Sequence, residues 1–386
     1  MRVSLAVRGV LIAVLGVAVA GCSCRNDTTF TPREQRVLEN DHGQWLSMDV
    51  APDGRLVVTY YDRSWGGIGF AKGTPKDSGE VFWDYEQVDG YPDDQGLNPG
   101  DRGLFTSVKV APDGGVWASY YDNTNGSLRV AQRVGGLWQP EVADVGGGLD
   151  PDAGQWTSLA LDTSDNPVVA HYDAGKGELR VARRAESGWS GESVFQGLPW
   201  DGVDATGTAV HRDASVGMYA RLLIDGSTEY IAFYDAAQQS LNLLEGFPGA
   251  YTHTVVYNQG NVGLWPSLWT DGTDLLIAFQ AADTQDLMLA RRSGGGPFSV
   301  SVVDDGEYRG ADTEVFLRDG QLSILYFDGY NNDMRLATET GSGWQVDAIA
   351  GDGIAVGYHN EVAYTHDRWW VASYDYTNRR IFAKPL

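Results

Sequence analysis

Arg221, Asp312, Glu314, His359 and Glu361 are the residues of this chain whose types and spacing best suit chemistry. Asp312 and Glu314 are two residues apart, and so are His359 and Glu361. In an extended strand that spacing puts both members of a pair on one face. A histidine beside a carboxylate can carry protons to and from a reacting group. Two carboxylates across a sugar-sized gap can cleave a glycosidic bond. An arginine near such a base can neutralise a substrate carboxylate, as an elimination requires. The same five groups also suit an internal ion network, or a site for a ligand or cation. His359, Glu361 and Glu314 would be catalytic only if the chain is an enzyme. Asp93, Asp94 and Asp101 are oxygen donors that could take Ca²⁺, although neither they nor the other loop acids follow the EF-hand spacing. The expectation is that no cofactor is required, with Ca²⁺ as the one candidate. There is no P-loop, no G-x-S-x-G elbow, no H-E-x-x-H and no dinucleotide fingerprint.

The elements that must position these residues emerge from an internal repeat. Seven stretches open on a glycine: "GQWLSMDV" at Gly43, "GLFTSVKV" at Gly103, "GQWTSLAL" at Gly154, "GMYARLLI" at Gly217, "GLWPSLWT" at Gly263, "GADTEVFL" at Gly310 and "GYHNEVAY" at Gly357. The last four are 46 to 47 residues apart. Each begins a unit of four strand-like segments, A to D. A tight turn such as the Pro-Asp-Gly at Pro52 leads from A to B. Strand B reads "LVVTYYD", "VWASYYD" or "PVVAHYD", strand C "LRVAQR" or "LRVARR", and strand D usually opens on an aromatic such as Trp138, Trp189 or Trp344. Four antiparallel strands at a period in the mid-forties describe one blade of a β-propeller. The fold expected is all-β, a seven-bladed β-propeller. The seventh unit ends at Leu386 after strand C, while "FTPREQRVLEN" at Phe30–Asn40 precedes the first strand A and reads as a strand D. The N-terminal strand is therefore expected to complete the last blade and close the ring over residues 30–386.

Two columns of the repeat face the axis. Two residues after each glycine stand Trp45, Phe105, Trp156, Tyr219, Trp265, Asp312 and His359. Two further on stand Ser47, Ser107, Ser158, Arg221, Ser267, Glu314 and Glu361. The aromatics and serines suit wedging between blades and tying down strand starts. Trp45, Trp156 and Trp265 also suit stacking on sugar rings. The aspartate that ends strand B recurs at Asp62, Asp122, Asp173, Asp235, Asp328 and Asp375, with Ala281 in its place in blade five. A residue used in nearly every blade suits a turn cap. Three long D–A connections, Val88–Gly103, Asp144–Gly154 and Phe195–Gly217, are expected to crowd one side of the face where the D–A and B–C loops meet.

The phrase "YYD…G.LR.A.R…W..E.V" resembles bacterial propellers with sialidase-like repeats, over nearly the whole chain after residue 30. That resemblance implies architecture and little about activity. The sialidase Asp-box, Ser-x-Asp-x-Gly-x-x-Trp, is absent, and true sialidases have six blades. No catalytic residue is carried over.

The N-terminus reads differently. Arg2 and Arg8 precede an apolar run that ends in Val19-Ala20-Gly21-Cys22, a secretory pattern whose run is short for a spanning helix. It resembles a bacterial lipoprotein signal over residues 1–21, with Cys22 lipidated and residues 22–29 as a tether. Ser23 after the cysteine implies outer-membrane sorting, on either its periplasmic or its outer side. Cys22 and Cys24 are the only cysteines, so a large core rather than disulfides must supply stability. The 386 residues carry a formal net charge of −24, which opposes binding to nucleic acid or anionic lipid. The expectation is a monomeric, envelope-anchored binding or assembly module that holds a glycan or an envelope protein at its axial face. A carbohydrate-active enzyme (glycosidase or polysaccharide lyase) and a structural subunit of an envelope complex are the alternatives.

Overall fold

Strand B is mostly apolar, and in blades one, two and three every residue of it is buried. A strand buried on both sides must lie between two other layers. The computed structural model supplies those layers as neighbouring blades. It describes residues 41–147, 151–203 and 206–386. Six sheets each contain four consecutive antiparallel strands in the order A-B-C-D. Blade one, for example, runs His42–Val50, Leu56–Asp62, Gly67–Pro75 and Val81–Asp89. The seventh sheet contains Val356–Thr365, Arg368–Asp375 and Arg380–Pro385. The strand expected from Phe30–Asn40 to complete it lies outside the described residues, as do Cys22 and the segments on either side of it.

Strand D largely alternates half-buried and exposed positions and forms the outer edge. The core is divided among the blade interfaces. Val57, Ile68 and Phe70 of blade one pack with Val108, Ala118 and Tyr120 of blade two. Leu46, Val58 and Tyr60 of blade one pack with Trp370, Ala372 and Ile381 of blade seven, which closes the ring. Comparable clusters fill the other five interfaces.

The glycine that opens strand A permits this close approach. A Cβ on Gly103 would lie 2.7 Å from the backbone nitrogen of Ile68 in the preceding blade, and φ there is +115°. The next irregularity is a bulge. Pairing between strands A and B slips around the residue two positions after the glycine. That residue is left-handed in all seven blades: Trp45, Phe105, Trp156, Tyr219, Trp265, Asp312 and His359 have φ between 49° and 56°. A left-handed residue with a Cβ costs about 1–2 kcal/mol. The bulge turns each of these side chains toward the axis. The long connection Phe195–Gly217, expected to be a loop, contains a hairpin of Trp200–Val203 with Ala209–Arg212. Arg212 stacks over Trp200 at 4.3 Å across this hairpin.

Candidate axial site

The seven left-handed residues form one ring around the axis. Successive ring centroids are 4.3 Å apart from Trp45 to Phe105, 4.5 Å to Trp156, 4.1 Å to Tyr219 and 4.6 Å to Trp265. His359 returns to Trp45 at 4.5 Å. Asp312 fills the remaining place, its Oδ1 3.6 Å from His359 Nδ1. The ring thus has an aromatic arc of five residues and a polar sector of two. It surrounds a cavity of about 100 Å³ at the loop face.

Hydrogen bonds lock the arc in place. Thr106 donates to the carbonyl of Trp45 at 2.6 Å, Thr157 to that of Phe105 at 2.6 Å and Thr313 to that of Trp265 at 2.7 Å. Asn360 donates to the carbonyl of Asp312 at 3.0 Å. The serine column tethers blades one, two, three and five each to the next. Ser47, Ser107, Ser158 and Ser267 accept from the backbone N–H groups of Val108, Leu159, Leu222 and Val315.

Arg221, Glu314 and Glu361 replace serine in that column and meet beneath the ring. Arg221 Nη2 pairs with Glu314 Oε1, and Nη1 lies 4.0 Å from Glu361 Oε1. Beyond them the axis widens into a chamber of about 440 Å³ lined by Ser47, Ser107, Ser158 and Lys109. All five sequence-predicted polar residues therefore converge on the axis, in two layers rather than one. His359 faces Asp312 in the upper layer, and Glu314 and Glu361 share Arg221 in the lower.

Burial dominates the electrostatics. It lifts Asp312 to about 7, against the opposing pull of the His359 backbone N–H and the Arg221 charge. It lowers His359 to about 3. Burial also raises Glu361, opposed by Arg221, Lys109 and the Ser47 hydroxyl. At neutral pH the upper layer holds a neutral imidazole beside a carboxyl group that can carry a proton.

Several other sequence candidates bond within the scaffold. The aspartates ending strand B cap the B–C turns: Asp122 accepts from the Asn125 N–H at 3.0 Å and Asp375 from the Asn378 N–H at 2.9 Å. Asp93 caps its own loop by accepting from Gln95 and Leu97, both at 2.9 Å. Asp101 accepts from the Tyr61 hydroxyl at 2.8 Å. Among the described residues no group of three or more His, Cys, Asp or Glu side chains converges as a metal site. His211 lies between Asp201 at 2.7 Å and Asp213 at 3.2 Å on the exposed hairpin.

Two networks between blades escaped the sequence reading. The penultimate residue of strand B reaches the next blade. Tyr61 donates to Asp101, Tyr121 to Asp152, Tyr234 to Asn261 and Tyr374 to Asp41, and Tyr172 bonds Ser215. Gln280, the odd residue of blade five, donates to the Arg309 carbonyl at 2.6 Å and does the same work. The signal was a polar column two residues before the opening glycine. The second network joins a strand-D aspartate to the Tyr or His and the Arg of the next blade. Tyr120 and Arg129 meet Asp89 at 2.6 and 2.9 Å. His171 and Arg180 meet Asp144 at 3.2 and 2.9 Å. The strand-B histidine thus stands in for a tyrosine.

No protein-family model matches the chain, and no curated protein matches it. Solved structures do. The polysaccharide lyase Uly1 is 9% identical over 89% of this chain and 89% of its own, with a TM-score of 0.55. A mutant of AofleA from Arthrobotrys oligospora is 13% identical over 82% of this chain and 88% of its own, with a TM-score of 0.50. A mutant of the Aleuria aurantia lectin, solved with Fucα1-6GlcNAc, is 14% identical over 81% of this chain and 96% of its own, with a TM-score of 0.49. At such identities the likeness is one of fold.

Proposed function

We propose that this β-propeller is a binding module that takes a glycan at the mouth of its axis. The observation that carries the reading is the ring of left-handed side chains. Five aromatic rings and one Asp–His sector are held at the loop face at a conformational cost in every blade. Such strain persists where the surroundings fix it, and it is concentrated at functional sites. Sugars present apolar C–H faces and hydroxyl edges. The arc supplies surfaces for the first, and Asp312, His359 and Asn360 supply partners for the second. Neutral polar groups suit a neutral ligand better than they suit an ion. That a similar fold serves a polysaccharide lyase supports a carbohydrate ligand.

One observation favours a second reading, a carbohydrate-active enzyme. Asp312, raised to about 7, could deliver a proton at neutral pH. The lower layer suits this reading less well than the sequence suggests. Arg221 is already engaged by Glu314, so a substrate carboxylate would have to displace that partner.

The proposal places the module at a cell envelope through lipidated Cys22, on the support of the sequence at residues 1–24 alone. Mass spectrometry of the N-terminal peptide tests this: an unmodified Cys22 in membrane-derived protein would remove the anchor. The glycan reading is tested by screening the detergent-solubilised full chain on a glycan array and against polysaccharides, with and without Ca²⁺. Binding without depolymerisation is the expected result. Trp265→Ala should weaken it about tenfold or more, equivalent to about 1.4 kcal/mol. Depolymerisation lost in Asp312→Asn would establish the enzyme instead.

A further inference from the structure

Blade six departs from its neighbours at the loop face as well as at the axis. Where blades one to five and blade seven place a Tyr or Gln that bonds the next blade, blade six has Phe327. Its ring packs against Tyr358 of blade seven at 4.2 Å. Tyr358 follows Gly357 and immediately precedes His359 of the axial ring. Burial raises its pKa, and the charge of nearby Asp312 adds to the effect. Outward from Tyr358 stands Tyr376, 5.9 Å away and 57% exposed. Asn332 accepts from the Tyr358 hydroxyl at 3.3 Å, and beside Asn332 in the same B–C turn Tyr330 is 63% exposed. Tyr308, in the connection leading into blade six, is 41% exposed. A line of tyrosines therefore runs from the polar sector of the mouth to the rim of blades six and seven.

The loop face is walled on one side. The long connections, including the Trp200–Arg212 hairpin, lead into blades two, three and four. Strand D of blade five ends at Asp304 and strand A of blade six starts at Ala311, so the connection there is short. The ones between blades six and seven, from Ala350 to Val356, and between blades four and five, from Tyr257 to Val262, are short as well. A chain leaving the mouth thus meets a low rim over blades five to seven, and the tyrosines stand on two of those three blades.

We propose that these tyrosines form an extended subsite for an oligosaccharide whose end occupies the axial mouth. The inference rests on the glycan reading of that mouth and adds chain length and direction to it. Tyrosine suits the task, since it offers a ring face and a hydroxyl with little rotamer entropy to lose. Tyr330 and Tyr376 are exposed, and their truncation leaves the blade cores untouched.

The test is calorimetric titration of the detergent-solubilised full chain. The probes are the mono-, tri- and hexasaccharides of β-1,4-linked glucose, N-acetylglucosamine, mannose and xylose. The hexasaccharide of the recognised series should bind at least about tenfold more tightly than its monosaccharide. Tyr330→Ala/Tyr376→Ala should abolish that gain and leave the monosaccharide affinity unchanged, whereas Trp265→Ala should weaken both. If longer chains bind no better than the monosaccharide, or the double variant keeps the full gain, the subsite is wrong and the mouth stands. If no member of any series binds, the subsite falls together with the mouth reading.

Discussion

Asp312 and His359 carry the sharpest consequences at the scale of single residues. Asp312 has a folded pKa raised from 3.8 to about 7, so its contribution to stability is complete below pH 3.8 and is lost as pH rises toward 7. His359 is lowered from 6.5 to about 3, so its contribution is present above pH 6.5 and is lost as pH falls toward 3. Between about pH 4 and 6.5 the two slopes oppose each other and the wild type should show little dependence on either. Each conservative variant should uncover the other group. Asp312→Asn should lose stability on acidification below pH 6.5, and His359→Gln should lose it on alkalisation between pH 4 and 7. Each change should reach a few kcal/mol, at about 1.4 kcal/mol per pKa unit. Urea unfolding across that pH range checks this, and parallel profiles for both variants would refute the pairing. The positions of the two residues were legible as departures from a column of aromatics. Their left-handed backbone was not, because the five aromatics that share their column are residue types that rarely adopt a positive φ.

At the scale of elements, the repeat made strands A to C readable almost to the residue. The opening glycine, the buried strand B and the Asp-capped turn recur in fixed register. What stayed hidden were the bonds between blades. Tyr61 and Asp101 are 40 residues apart, and each alone looks like an ordinary surface or turn residue. Only the two columns read together pair them. The hairpin inside Phe195–Gly217 was hidden for a different reason. Its strands are four residues each, so alternation has too little length to show. The Arg221 layer is the element-scale prediction. Arg221→Met leaves Glu314 and Glu361 facing each other in a half-buried channel. It should cost about 2–4 kcal/mol, the lower end reflecting the partial exposure of Arg221. Adding Glu314→Gln and Glu361→Gln should restore most of the loss. A triple variant as unstable as the single one would contradict an ion network as the reason for these residues. Sugar affinity should survive in the triple variant, since the upper ring is the proposed contact.

At the scale of the molecule, the seven-fold repetition that builds the ring also defines its site, because the site is where the repetition fails. Asp312, Glu314, Phe327, His359 and Glu361 depart from the pattern on blades six and seven, and Arg221 departs from it on blade four. The aromatic arc belongs to blades one to five. The negative charge of the whole chain would oppose anionic polysaccharides and leave neutral glycans favoured. Ring closure is seen in the packing of blade one on blade seven. The strand proposed to complete the last blade belongs to residues outside the description. The charge and the repeat were open to inspection in the sequence. The direction in which a ligand would leave the mouth was not, because it depends on which loops stand tall around a closed circle.

The most direct test of the central claim is to follow the indole N–H resonances of the tryptophans by NMR while the best glycan from the array is titrated in. Trp45, Trp156 and Trp265 line the mouth, whereas Trp83, Trp138 and Trp344 lie on the outer strands. The account predicts that the first three shift with a single saturating isotherm and the outer three stay still. Movement of the outer indoles alone, with the mouth unchanged at saturation, would place the glycan elsewhere and contradict the account.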